Sequence, residues 1–219
     1  MSATLELPIS ASTDTREATA RPLNIAIAGN PNAGKTSLFN ALTGLRQKVA
    51  NYPGVTVESK IGEWVLSPEL PPARLIDLPG LYSLDATSLD EEIARDILLS
   101  HKESTSRIDA IVVVVDGTNL VRNLYLATQL IETGRPVVVA LTMFDLVERN
   151  SLKIDVEKLS SELGVPVVPL VAKQRRGLSE LASAVLAAAK SRPVPRAVRP
   201  HARDLGQRRS NLIRRYAQI

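Results

Sequence analysis

Gly29-Asn30-Pro31-Asn32-Ala33-Gly34-Lys35-Thr36 is a complete phosphate-binding loop of the form G-x-x-x-x-G-K-[ST]. It follows an apolar run, Leu23-Asn24-Ile25-Ala26-Ile27-Ala28, and opens a helical pattern, Ser37-Leu38-Phe39-Asn40-Ala41-Leu42. Strand, glycine loop and helix in that order make a site of the pattern. Gly29 and Gly34 are expected to allow turns that a Cβ would obstruct. Successive N–H groups then form an anion nest at a helix N-terminus. Lys35 supplies a point charge for the β- and γ-phosphates, and the Thr36 hydroxyl is a candidate Mg²⁺ ligand.

Outward from this loop, strands and helices alternate. Expected strands are 23–29, 55–66, 73–77, 110–116, 136–142 and 165–170; expected helices are 35–44, 89–101, 120–133, 153–163 and 178–190. Ala110-Ile111-Val112-Val113-Val114-Val115 is apolar on both faces, as a buried parallel strand is. The 55–66 stretch alternates instead and reads as an edge strand. The pattern implies an α/β fold with three layers, a mostly parallel six-stranded sheet and one antiparallel edge strand.

Composition agrees with one core and two tails. The 219 residues are 44% hydrophobic and 23% charged, enough for one domain. With no cysteine, disulfides, thiolate metal sites and cysteine nucleophiles are excluded. The histidines, His101 and His201, do not make a metal centre. No apolar run approaches the ~18–20 residues that span a bilayer, and the N-terminus lacks a secretory signal pattern. Residues 1–22, rich in Ser, Thr and Ala, read as a disordered leader; 23–190 read as the nucleotide-binding domain. Residues 191–219 read as a Pro/Arg-rich linker and a basic amphipathic helix. That tail holds Arg192, Arg196, Arg199, Arg203, Arg208, Arg209, Arg214 and Arg215 against Asp204 alone. The net charge of +4 therefore belongs to the tail, and no nucleic-acid partner is expected for the domain. Leu205, Leu212, Ile213, Tyr216 and Ile219 suit an anionic membrane, a protein partner or the chain's own domain as the tail's resting place.

A phosphate loop by itself fits kinases, ATPases and GTPases. Asp77-Leu78-Pro79-Gly80 ends a strand; there Asp77 would hold Mg²⁺ through a water and the Gly80 N–H would meet a γ-phosphate. In Tyr52-Pro53-Gly54-Val55-Thr56, Thr56 is the natural second hydroxyl ligand for Mg²⁺. In Leu141-Thr142-Met143-Phe144-Asp145, Asp145 can accept hydrogen bonds from guanine N1–H and its amine, which adenine does not offer. Met143 can cover the base, and Val171, Ala172 and Lys173 would supply the last base-contacting loop. The expected nucleotide-binding set runs from Gly29 through Asn30, Pro31, Asn32, Ala33, Gly34, Lys35 and Thr36 to Ser37. It adds Gly54, Val55, Thr56, Asp77, Gly80, Thr142, Met143, Asp145, Val171, Ala172 and Lys173.

Residues 23–190 resemble the G domain of ferrous iron transport protein B (FeoB), a P-loop GTPase tethered to a bacterial Fe²⁺ transporter. The resemblance rests on Val49-Ala50-Asn51-Tyr52-Pro53-Gly54-Val55-Thr56-Val57-Glu58, similar to that family's first switch. It rests also on Asp77–Leu84 and Asp90-Glu91-Glu92-Ile93-Ala94-Arg95-Asp96, similar to the second switch and the helix after it, and on Asp116–Leu126. It implies GTP hydrolysis with Lys35, Asn32, Thr56 and Gly80 as the catalytic set. Asn32 would correspond to an asparagine that ligates K⁺ beside the phosphates. Leu81 stands where other GTPases orient water with glutamine, so slow, K⁺-stimulated turnover is expected. The implied partners are GTP and GDP and a membrane permease region or another transporter subunit, at the cytoplasmic face of the inner membrane. The oligomeric state is left open.

Two departures are visible. Thr142 stands where the family usually has asparagine, and Val171 where serine is common; both remove polar contacts, and Asp145 is expected to keep the guanine preference. Also, only residues 191–219 follow the domain, whereas the family continues into a helical regulatory domain and a permease. The expectation is a split-off or excised cytosolic part, or a stand-alone GTPase. Two other readings fit the same motifs: a ribosome-assembly or tRNA-modifying GTPase, and a GTP-gated binding module with negligible turnover.

Overall fold

A computed structural model describes residues 21–44, 47–51, 58–85, 89–99 and 107–191. Outside the described residues lie the leader up to residue 20, Gly54, Val55 and Thr56 of the first switch, both histidines and the tail from 192.

The strands are β1 (Asn24–Gly29), β2 (Gln47–Asn51), β3 (Glu58–Trp64), β4 (Ala73–Asp77), β5 (Ala110–Asp116), β6 (Val137–Thr142) and β7 (Val167–Pro169). They form one seven-stranded sheet in the order β2-β3-β4-β1-β5-β6-β7. The five strands from β4 to β7 pair in parallel, whereas β2 pairs with β3, and β3 with β4, antiparallel. The expected six-stranded sheet thus gains β2, and the 58–64 strand lies one position in from the edge. Gln47-Lys48-Val49-Ala50-Asn51 carries too little apolar character to read as a strand. Main-chain pairing with β3 makes it one, and a short, polar strand is what a sheet edge tolerates.

The helices are α1 (Lys35–Thr43), α2 (Leu89–Leu99), α3 (Leu120–Glu132), α4 (Phe144–Arg149), α5 (Val156–Leu163) and α6 (Leu178–Lys190). Of these, α4 was not expected: six residues directly after a strand leave no room for a helical period to show.

Period-two alternation along the strands divides the core into two layers. Ile25, Ile27, Leu75, Val112, Val114, Val138 and Ala140 face α1 and α6, packing with Leu38, Phe39, Leu181 and Val185. Ala26, Ala28, Ile76, Ile111, Val113, Val139 and Leu141 face the other way, with Ile97 and Leu98 of α2, Leu124 and Leu130 of α3 and Leu159 of α5. Helices on both faces explain why the middles of β1, β5 and β6 are apolar on both sides. Each large side chain buried here contributes about 1.5–3 kcal/mol. This is the three-layer α/β sandwich expected, and its parallel strands all end on one edge, where such sheets bind ligands.

Candidate functional site

Five strand ends build that edge: β1 runs into the 29–36 loop, β4 into Asp77, β5 into Asp116, β6 into Thr142 and β7 into Val171. The phosphate loop is shaped by its own backbone. Asn32 and Gly34 are both left-handed, at φ 66° and 91°. Gly34 opens α1 with no side-chain cap, so the first N–H groups of the helix are left for an anion. Gly29 has a different reason to be glycine from the one expected. It still belongs to β1, and a Cβ there would lie 2.8 Å from the Val114 carbonyl oxygen. The constraint is close packing against β5, not a turn.

Lys35 reaches across the loop to β4. Its Nζ donates to Asp77 Oδ1 at 2.9 Å, with the side chains 13% and 9% exposed. The candidate phosphate lysine and the candidate Mg²⁺ aspartate therefore meet, with exposed Thr36 and Ser37 on the first turn of α1. Hydroxyl and carboxylate oxygens are the hard donors Mg²⁺ requires; Thr56 lies outside the described residues. Asn32 and Pro31 are exposed on the loop, and the Asn32 amide oxygen is also a hard donor.

Gly80 sits against this loop. A Cβ there would come within 2.9 Å of Pro31 Cγ. Its neighbours tie the segment to β1: the Leu78 N–H donates to Ile27 O at 3.1 Å and the Leu81 N–H to Gly29 O at 3.0 Å. Leu81 is fully buried, so it does not face the site at all.

The other end of the site is assembled from distant segments. Thr142 is 3% exposed. Its hydroxyl lies 2.7 Å from the Ala33 carbonyl and 3.1 Å from the Val115 carbonyl. One proton serves both, and the shorter contact is to the phosphate loop. Thr142 thus holds the loop from beneath. Met143, left-handed at φ 55°, starts α4 and leaves Asp145, half-buried, in that helix's first turn. Val171, 4% exposed, pairs with Arg176 through both main-chain bonds. Between them, Ala172 is half-buried and Lys173 exposed.

Sequence reasoning missed three contributors and expected the fourth, Asn30, among the nucleotide contacts without its tie to α3. Arg175, left-handed at φ 55°, donates to Ala41 O of α1 at 3.0 Å, tying the last loop to the phosphate helix. Asp116 accepts from the Thr118 N–H and hydroxyl at 2.8 and 2.7 Å, capping the turn into α3. Asn30, buried, donates to Arg122 O of α3 at 3.4 Å. Gln129 of α3 bonds the segment after Gly80. Among these only Arg175 has positive φ; of the four such non-glycine residues described, Asn32, Met143 and Arg175 lie in the site's loops. Strain of this kind collects at ligand clamps.

Residues 23–185 match the family described as Ferrous iron transport protein B. The chain is 48% identical over 169 residues to the Fe(2+) transporter FeoB of Salmonella typhimurium, covering 75% of this chain and 21% of that protein. It is 47% identical, over the same shares, to the Fe(2+) transporter FeoB of Escherichia coli K12. The chain therefore spans about a fifth of the length of these curated relatives. Among solved structures, it resembles the cytosolic domain of the T. maritima FeoB iron transporter in a GDP form, at 42% identity and a TM-score of 0.71, covering 79% of this chain and 65% of that one. A mutant S. thermophilus NFeoB bound to GDP is 50% identical with a TM-score of 0.64, over 76% of this chain and 61% of that one. The fold is thus that of P-loop GTPase domains.

Proposed function

Because the chain belongs to the ferrous iron transport protein B family, through that family's N-terminal domain, we propose that it binds and hydrolyses GTP as the switch of a ferrous iron uptake system. The unit is residues 23–190; of the Pro/Arg-rich stretch 191–219, residues from 192 on lie outside the described residues. Three separate motifs supporting this reading converge on one sheet edge: Lys35 meets Asp77 at 2.9 Å, and Thr142 holds Ala33 at 2.7 Å.

The loop's N–H groups and Lys35 bind the β- and γ-phosphates. Asp145 selects guanine, with Met143, Ala172 and Lys173 around the base. Water attacks the γ-phosphorus, the bond to the β–γ bridging oxygen breaks, and GDP and phosphate leave. Gly80 offers its N–H to the γ-phosphate, so this segment, with Thr56, registers its loss. Mg²⁺, held by Thr36 and Thr56 with Asp77 behind a water, would neutralise phosphate charge when bound. K⁺ on Asn32 would add the charge that an arginine supplies elsewhere.

Turnover is slow, since buried Leu81 leaves no side chain after Gly80 to orient the water. The membrane partner is a permease region or another transporter subunit, at the cytoplasmic face of the membrane. GTP turnover in KCl against NaCl, with ATP as control and Asn32→Ala alongside, tests the scheme. Faster GTP turnover in KCl, lost in Asn32→Ala, is expected; equal rates throughout would remove K⁺ from it. Leu81 also favours a second reading, a GTP-gated binding module, for which tight GTP binding without turnover is the signature.

A further inference from the structure

The segment that follows Gly80 is fastened to α3 at two places. The Leu84 N–H donates to Gln129 Oε1 at 2.8 Å, and Gln129 Nε2 donates to Asp85 Oδ2 at 3.2 Å. About two turns earlier on the helix, the Arg122 guanidinium lies 4.6 Å from the centre of the Tyr82 ring, within cation–π range. Gln129 is 9% exposed, so its amide is not a solvated surface group. A glutamine buried under a loop costs free energy unless both ends are satisfied, and both ends here are satisfied by the same loop.

This fastening bears on Gly80 through a short lever. Leu81 is fully buried and bonded to Gly29 O, and Pro31 walls off the other side of Gly80. Only Tyr82 and Ser83 separate Leu81 from the Gln129 contact. With both ends held, the Gly80 N–H keeps a narrow range of directions. With the far end free, the segment must be ordered each time a γ-phosphate is engaged, and ordering costs conformational entropy. A preformed donor avoids that cost.

We propose that Gln129 is a positioning residue for GTP: by clamping Leu84 and Asp85 to α3 it pre-orients the Gly80 N–H toward the γ-phosphate. The inference rests on the GTPase reading above. GDP has no γ-phosphate, so the clamp should matter to GTP alone, whereas a merely structural glutamine would matter to both nucleotides.

Three variants of the whole chain test it: Gln129→Leu, Gln129→Glu and the pair Asp85→Asn with Gln129→Glu. Gln129→Leu removes both bonds and is expected to lower kcat for GTP about fivefold, with GDP affinity within about twofold of wild type. Gln129→Glu keeps an acceptor for the Leu84 N–H but sets a carboxylate against Asp85, and should also be slow. In the double variant the amide at position 85 donates to the carboxylate at 129, the reverse of the native polarity, and kcat should recover to within about twofold of wild type. Unchanged kcat in Gln129→Leu, a parallel loss of GDP affinity, or a double variant no better than Gln129→Glu would each overturn the proposal. Should wild type bind GTP without turning it over, the hydrolysis reading fails by itself. The clamp is then read in the affinity for a non-hydrolysable GTP analogue relative to GDP. Gln129→Leu should lower that ratio about fivefold, and an unchanged ratio overturns the clamp.

Discussion

The proposed phosphate end and the proposed base end of the site are built by opposite means. Eight consecutive residues, 29–36, make the phosphate loop, and its left-handed turns at Asn32 and Gly34 are set by local backbone. The base end draws on residues 142–145 and 171–176, joined to each other and to α1 only by tertiary contacts. Phe144 N–H reaches Leu170 O, and Arg175 reaches Ala41 O. Local structure can be read from a motif; a tertiary joint cannot, because its partners are far apart in sequence. Thr142 is the joint between the two ends, through its bond to Ala33 O.

Substitutions should separate the two ends. Lys35→Ala removes the phosphate loop's own cation, which pairs with Asp77, and GTP kcat/KM is expected to fall about a hundredfold or more. Retained turnover in a steady-state phosphate-release assay would mean that the loop is not the reaction's anion site. Gly80→Ala is next: the added Cβ meets Pro31 Cγ at 2.9 Å. Turnover should drop about tenfold while calorimetric GDP affinity moves less than about twofold. A large loss of GDP binding would instead show that Gly80 supports the loop as a whole.

Thr142→Val tests the joint. It strands the buried Ala33 carbonyl, which should cost about 1–2 kcal/mol in urea unfolding and weaken nucleotide binding alongside. A loss of guanine-over-adenine selectivity with unchanged stability would return Thr142 to the base side. Arg175→Ala is expected to have the smallest effect, within about 0.5 kcal/mol of wild-type stability, because the arginine is exposed. A greater loss would make its tie to α1 a principal support of the base loop.

The clamp at Gln129 adds a third kind of construction. It is neither local nor at the site, yet it acts on the residue beside the phosphates. In the sequence, Gln129 is one polar residue in Leu126-Ala127-Thr128-Gln129-Leu130-Ile131, and nothing marks it. Its role exists only because α3 packs beside β1 and β5 and brings position 129 under residues 84 and 85.

By itself the sequence determined the alternation of elements, the two-sided burial of β1, β5 and β6, and the phosphate loop. Each depends on residues within a helical turn, a strand or a single loop, where side-chain period and glycine placement carry the information. It also brought out Asp77, Gly80 and Asp145, because each follows a strand that is itself recognisable. Tertiary structure alone decided that a polar stretch, 47–51, becomes a strand, that Gly29 is a packing glycine against Val114, and that Thr142 turns to the loop. It alone decided that Gln129 holds the segment after Gly80. These depend on which surfaces meet when distant segments pack, and a hydrogen bond or a close approach between them leaves no periodicity along the chain.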